Sequence, residues 1–273
     1  MYKPLNRLSI DIADIIISVD SHIDLNRFAD IDFYKDFRTE TNSPHCHLEL
    51  RLEEPPNLRL NKCIFNPAGN WQLSHIDGRN VLQVGVKGMP DEVVIFNPDY
   101  TKGIIYKRHV FELFRRFIDQ FILINLLSDR RGFLLHSSGL IWQGKGICFV
   151  GPSGAGKSTL IKLLRGEVKE KDLLSDDRLA VRKYRNKWFV YGTPWYGELP
   201  VASMAKAELK GIFFIRHSPE NYLRRLSLSE GLPQLIKNSL IPFWDKSAVL
   251  NVLDIFKRIL GEIPCFEMGF SPD

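Results

Sequence analysis

The stretch Gly151-Pro152-Ser153-Gly154-Ala155-Gly156-Lys157-Ser158 fits the pattern GxxxxGK[ST] in full, and nothing else in the chain limits its fold as strongly. It follows an apolar run, Ile147-Cys148-Phe149-Val150, and precedes a helical pattern over Leu160–Leu164. A short run without polar alternation reads as a strand buried on both faces, the kind found in parallel sheets. Glycines at this spacing let the backbone curl so that successive N–H groups face one concavity, and the helix N-terminus adds partial positive charge. Such a concavity suits phosphate. Lys157 would bridge terminal phosphate oxygens as a mobile charge, Ser158 would offer its hydroxyl to Mg²⁺, and Thr159 would pack or assist. Residues Gly151 to Thr159 are therefore candidate ligands of ATP with Mg²⁺.

The rest of the composition narrows the class without deciding it. The chain has 273 residues, 44% hydrophobic and 25% charged, enough apolar material for a sizeable core in one large domain or two modest ones. The longest strongly apolar stretch, Phe117–Leu127, is interrupted by Asp119, Gln120 and Asn125. A membrane span needs roughly 20 mostly apolar residues. The start, Met1-Tyr2-Lys3-Pro4-Leu5-Asn6-Arg7, lacks an apolar signal core. A soluble, cytoplasmic protein without a membrane partner is expected. Cys46, Cys63, Cys148 and Cys265 form no CxxC pair, so free thiols used as small hydrophobes are expected. The formal charge of +5 is uneven. Residues 1–130 carry 16 Lys and Arg against 18 Asp and Glu, net −2; residues 131–273 carry 21 against 14, net +7. A basic second half suits an anionic ligand such as a nucleotide. Nucleic acid is disfavoured as a partner, because no DNA- or RNA-binding module signature is visible.

The first hundred residues read as β-rich. Leu8–Val19 is dense in Ile and Val, His47–Leu52 alternates, and Val81–Val86 and Val93–Phe96 form further short strands. Asn66-Pro67-Ala68-Gly69-Asn70 and Asp77-Gly78 supply turn chemistry. His45-Cys46-His47 holds three metal-ligand types in a row, yet adjacent strand residues face opposite ways, so a plain strand start is the preferred reading. From Arg108 to Leu127, apolar residues recur at three- and four-residue intervals and predict a packing helix. The domain boundary is expected just before it: 1–104 as a β-rich accessory domain, 105–273 as a catalytic domain. After Gly132 the pattern reads as strands at Phe133–His136 and Gly139–Trp142, a turn at Gln143–Gly146, then the phosphate loop and its helix. A hairpin across Arg185-Asn186-Lys187, a strand at Leu209–Ile215, helices near Leu232–Leu240 and Ala248–Leu260, and a closing strand at Pro264–Phe270 follow.

Ser175-Asp176-Asp177-Arg178 ends an apolar run about two dozen residues beyond the loop. Phosphoryl transfer needs a carboxylate near Mg²⁺ and, in a kinase, a base for the acceptor's proton. Two adjacent Asp residues at a strand end can divide those roles, and the order of division stays open. His136 and Glu198 are further candidates; Glu198 lies in the Gly/Pro/aromatic loop Gly192-Thr193-Pro194-Trp195-Tyr196-Gly197-Glu198.

Together, Leu134-Leu135-His136-Ser137-Ser138-Gly139, the phosphate loop, Leu174-Ser175-Asp176-Asp177-Arg178, Gly192-Thr193-Pro194-Trp195 with Glu198, Ile212-Phe213-Phe214-Ile215 and Ile263–Phe270 resemble the catalytic domain of the HPr kinase/phosphorylase family. More closely, they resemble the HPr-kinase-like proteins found beside biosynthetic or peptide-modifying enzymes. The resemblance covers residues 132–273. It implies an α/β P-loop kinase domain related to phosphoenolpyruvate carboxykinase, beside the β-rich N-terminal half. It implies transfer of the ATP γ-phosphate to a serine-type hydroxyl. Lys157 would hold phosphate; Ser158, Asp176 and Glu198 would serve Mg²⁺. Asp176 and Asp177 would share metal contact and general base, and His136 would line the phosphate site. A homo-oligomer is an expectation from the resemblance alone. After Glu198 the family's Gly-rich run is replaced by Leu199-Pro200-Val201-Ala202-Ser203-Met204-Ala205-Lys206, which argues against HPr as acceptor and against reverse phosphorolysis.

Three readings remain open at this level. The first is a kinase for a serine or threonine hydroxyl of a peptide or small protein; the second is a kinase for a small-molecule alcohol by the same mechanism. The third is a non-catalytic regulatory protein that senses ATP, against which the paired aspartates argue. Decarboxylation is disfavoured, since no second basic cluster for a dicarboxylate is evident. The basic run Arg178, Arg182, Lys183, Arg185, Lys187 is either a solvated hairpin face or a surface that steers an acidic acceptor.

Overall fold

The computed structural model describes residues 6–58, 63–67, 70–86, 89–114 and 117–271. It divides into two compact units, Met1–Leu126 and Leu127–Asp273. Among the described residues no helix is long and apolar enough to cross a membrane.

The first unit is built on one eight-stranded sheet of β1 (Asn6–Ile12), β2 (Ile15–Ser21), β3 (Cys46–Arg51), β4 (Cys63–Phe65), β5 (Trp71–Ile76), β6 (Arg79–Val86), β7 (Met89–Phe96) and β8 (Lys102–Lys107). Their order is β1-β2-β3-β8-β7-β6-β5-β4. The apolar run from Leu8 to Val19 is two strands rather than one. Ala13 and Asp14, with φ of 59° and 57°, reverse the chain in a two-residue turn of the sense that fits strand twist. Asp77-Gly78 does the same between β5 and β6, as its composition predicts. Of the Asn66–Asn70 turn segment, residues 68 and 69 lie outside the described set.

The helix predicted from Arg108 begins only at Ile118: α1 spans Ile118–Asp129. The reason is local hydrogen bonding. The Asp30 carboxylate accepts from the backbone N–H groups of Leu113 (2.6 Å) and Phe114 (3.0 Å), and Ala29 N–H donates to Phe111 O. These partners hold the preceding segment in a non-helical path. The division between units also differs from the expected 104/105 boundary. β8 continues to Lys107 inside the first sheet, and Phe121 of α1 packs on Trp71, Phe96 and Tyr100 of that unit.

The second unit mixes sheet and helix. Its elements are β9 (Gly132–Trp142), β10 (Lys145–Val150), α2 (Lys157–Leu164), β11 (Leu173–Ser175), β12 (Arg178–Tyr184), β13 (Lys187–Tyr191), β14 (Lys206–His217), β15 (Tyr222–Arg225), α3 (Leu228–Asn238), β16 (Ser239–Leu240), α4 (Lys246–Glu262) and β17 (Cys265–Phe270). The two segments expected around Ser137-Ser138 are one continuous strand, β9. The main order is β10-β9-β12-β13-β14-β17-β15, and β10 also pairs with β14 in parallel. β17 pairs with β14 in parallel as well, so three neighbouring strands present their carboxyl ends on one side.

β10 is buried on both faces, as its unbroken apolar run requires. Cys148 and Val150 pack with Leu235, Val252, Phe256 and Ile259 of α3 and α4, while Phe149 packs with Leu160 and Ile161 of α2. Each fully buried Leu, Ile or Phe contributes about 1.5–3 kcal/mol, so these two cores fix the strand whose end becomes the loop. A capping box formed by Ser227 and Glu230 starts α3, and Asp245 caps α4. All four cysteines are free; Cys148 and Cys265 share the core under α4.

Candidate active site

The phosphate loop leaves β10 at Gly151, where a Cβ would stand 2.9 Å from that of Ala155. Gly154 and Gly156 adopt φ of 79° and 95°, the left-handed region that glycine enters without steric cost. Gly156 is the N-cap of α2 and makes no side-chain cap bond. The loop thereby aims helix-start N–H groups at the cavity in front of it. Lys157 is 6% exposed, and its Nζ donates to the carbonyls of Gly151 (2.8 Å) and Pro152 (3.0 Å). Burial lowers its pKa; Asp177, Asp176 and Glu198 pull the other way.

A cavity of about 230 Å³ opens before the loop, lined by Lys157, Ser158 and Thr159 together with His136, Asp176, Asp177 and Glu198. Ser153, Gly154 and Gly156 of the loop also line it, whereas the candidate ligands Gly151, Pro152 and Ala155 do not. His136 arrives on β9; the acidic pair arrives between β11 and β12, both of which pair with β9.

The two aspartates have different surroundings. Asp176 is 3% exposed, and its oxygens accept from the backbone N–H groups of Gly197 (2.7 Å) and Leu199 (2.8 Å). It thus clamps the chain on either side of Glu198. Ser175 Oγ adds a bond to Trp195 O (2.8 Å). Asp177 instead faces side chains: Arg178 donates to Oδ2 at 2.5 Å, and His136 Nε2 lies 3.4 Å from Oδ1. The His136 pKa is lowered from its ordinary 6.5, first by burial and next by the Lys157 charge, with Asp177 opposing. The imidazole is therefore neutral at neutral pH.

His217 was not apparent from sequence. It ends β14, lines the same cavity, and its Nε2 lies 2.7 Å from Gly154 O. Its ring stacks on Phe270, and a Cβ on Gly156 would meet that Phe270 ring at 2.7 Å. No local motif marks His217; only the parallel pairing of β14 with β10 brings it to the loop. Elsewhere, the basic run is mostly engaged: Lys183 bonds Glu262, Lys187 bonds Glu208, and Arg185 lies over the Tyr184 ring. In the first unit, His45 Nδ1 accepts from Ile16 N–H, His47 pairs with Asp20, and Cys46 is buried.

Among the described residues, no group of three or more His, Cys, Asp or Glu side chains is arranged to hold a metal ion by itself. Mg²⁺ in a phosphate site takes one or two carboxylates and completes its shell with phosphate and water. Loop amides, a lysine, a hydroxyl and a neighbouring carboxylate form a donor set that fits a magnesium–triphosphate.

Residues 134–188 match the family model described as ABC transporter, a segment running from β9 through the phosphate loop and acidic pair into β13. Among solved structures, the chain is similar to the Hpr(Ser) kinase/phosphatase from Coxiella burnetii, with 14% identity, 50% of this chain and 85% of that chain covered, and a TM-score of 0.29. A score that low supports no argument about fold or activity. No curated protein matches the sequence. The second unit is an α/β domain carrying a phosphate loop.

Proposed function

We propose that the chain is an ATP- and Mg²⁺-dependent kinase that transfers the γ-phosphate to a serine- or threonine-type hydroxyl of a peptide or small protein. The carrying observation is that Asp177, held beside His136 and Arg178, shares the small cavity with Lys157 and Ser158. A protein that only senses ATP needs less acid–base equipment than this pair of aspartates supplies.

Lys157 and the loop amides bear the phosphate charge; Ser158 and Glu198 would hold Mg²⁺, which neutralises charge between the phosphates when bound. The acceptor hydroxyl loses its proton to Asp177 as its oxygen bonds to the γ-phosphorus, and the bond from that phosphorus to the β–γ bridging oxygen breaks. Asp176 positions Glu198. His136 and Arg178 orient the Asp177 carboxylate. Positioning and charge neutralisation supply most of the rate in such a reaction. The resemblance of residues 132–273 to HPr-kinase-like proteins supports the same reading, with the first unit as an accessory region.

The test is γ-phosphate-labelled ATP with Mg²⁺ and an extract of the source cells split into protein, peptide and metabolite fractions, with Lys157→Ala as the blank. Label in protein or peptide is expected. Label confined to metabolites would transfer the reading to a small-molecule alcohol kinase, and bound ATP without transfer to any fraction would favour a sensor.

A further inference from the structure

The eight-stranded sheet of the first unit carries a cavity of about 510 Å³ that the phosphate chemistry does not use. It opens over one face of β3, β8, β7 and the start of β6. Strand pairing fixes what that face presents. Ile104 lies beside Glu49 on β3 and Ile95 on β7, while Lys102, two residues before Ile104, lies beside His47. Val81 lies beside Ile95, and Arg79, two residues before Val81, shares its face. The floor is apolar, made by Ile95 and half-buried Ile104, and one end of it carries two exposed cations. β7 separates Arg79 from Lys102, so their backbones stand roughly 10 Å apart at the usual strand spacing.

We propose that this cavity binds an acidic peptide, an extended segment with two carboxylates roughly 10 Å apart and apolar side chains between them. The carboxylates pair with Arg79 and Lys102, and an apolar side chain covers Ile95 and Ile104. All of these residues belong to the first unit, so the inference does not rest on the phosphate-site reading.

Charge complementarity carries the choice of occupant. The carboxylates of this face are already matched: Asp20 accepts from Arg7 (2.6 and 2.8 Å) with His47 at 3.0 Å, and Glu49 accepts from Arg51 (2.8 and 3.1 Å). Among the described residues, no ion pair or side-chain hydrogen bond engages Arg79 or Lys102, although residues 1–130 carry a net charge of −2. Asp77, exposed in the turn before Arg79, is the remaining carboxylate of the lining. Two cations beside an apolar floor fit an acid–apolar–apolar–acid pattern, since three residues of extended chain advance about 10 Å. A nucleic-acid strand, charged at every residue, would also press phosphates against Glu49 and Asp77.

The experiment measures fluorescence anisotropy of a dye-labelled peptide, Glu-Leu-Leu-Glu between Gly-Ser flanks, on the full chain without nucleotide. Two control peptides replace the glutamates by lysine or the leucines by serine, and one protein variant combines Arg79→Glu with Lys102→Glu. Both positions are exposed, so the variant should keep its melting temperature. The acidic peptide is expected to bind saturably and the lysine peptide not at all. The double reversal should weaken binding about tenfold or more, as two exposed ion pairs become like-charge contacts. No saturable binding of the acidic peptide, equal binding of the lysine peptide, or unchanged affinity in the variant overturns the proposal. A serine peptide that binds as tightly as the leucine peptide overturns it too, because charge alone would then account for the attraction without the cavity. The peptide comparisons stand on the unmodified chain even if the variant fails to fold.

Discussion

Replacing Asp176 by Asn separates a clamp from a metal ligand. The side chain keeps its size, and one amide oxygen can still accept from Gly197 or Leu199. The other N–H then faces an amide NH₂, donor against donor, in a position only 3% exposed. A hydrogen bond to a charged group is worth about 1.5–3 kcal/mol, and the surviving bond weakens toward the neutral value near 1 kcal/mol. The expected loss is ~2–4 kcal/mol in the second unit. At roughly 2–4 °C per kcal/mol for a domain of about this size, the melting temperature should drop by about 4–16 °C. The decisive condition is the absence of both Mg²⁺ and nucleotide, followed by turnover of whatever remains folded. The clamp account predicts the full drop without metal, and reduced turnover that added Mg²⁺ does not restore. An unchanged apo melting temperature, with the Mg²⁺ requirement raised instead, would refute the reasoning and return Asp176 to the metal.

Three further outcomes follow from the loop and its neighbours. Gly156→Ala forces a left-handed backbone, costing ~1–2 kcal/mol, and drives a Cβ to 2.7 Å from the Phe270 ring, so both thermal stability and nucleotide affinity should fall; an unaltered melting curve would contradict the geometry. His136 has a folded pKa below 6.5, so its unfolded form binds more protons in mild acid. Its stability contribution is complete above pH 6.5 and declines as pH falls through that window. An NMR titration of the imidazole should report the lowered midpoint, and a value at or above 6.5 would count against the burial argument. His217→Ala removes the contact to Gly154 O, and a net hydrogen bond of about 0.5–1.5 kcal/mol is lost from the stability of the ligand-free protein, with ATP binding weakened by up to roughly 12-fold where that bond holds the loop ready for phosphate. Equal affinity by calorimetry would show that the loop does not depend on it.

Local chemistry decided what could be read beforehand. The phosphate loop is legible because each glycine, the lysine and the hydroxyl are required within eight residues, between a strand and a helix. Asp77-Gly78 is legible because glycine suits a turn with positive φ, whereas Ala13-Asp14 makes a like turn without a glycine signal, so one apolar run hid two strands. Long-range partners account for the rest. The start of α1 is moved by Asp30, 83 residues before Leu113. The unequal surroundings of Asp176 and Asp177 come from N–H groups 21 and 23 residues downstream of Asp176. His217 reaches the loop only through the parallel pairing of β14 with β10.

The central claim is that Asp177 takes a proton while Lys157 holds phosphate. It is tested most directly by measuring ATP affinity and γ-phosphate transfer on the same preparations of the unmodified chain, Asp177→Asn and Lys157→Ala. The account predicts that Asp177→Asn binds Mg²⁺-ATP with little change yet transfers roughly 10²–10⁴-fold more slowly, while Lys157→Ala loses binding and transfer together. Undiminished transfer by Asp177→Asn would contradict it.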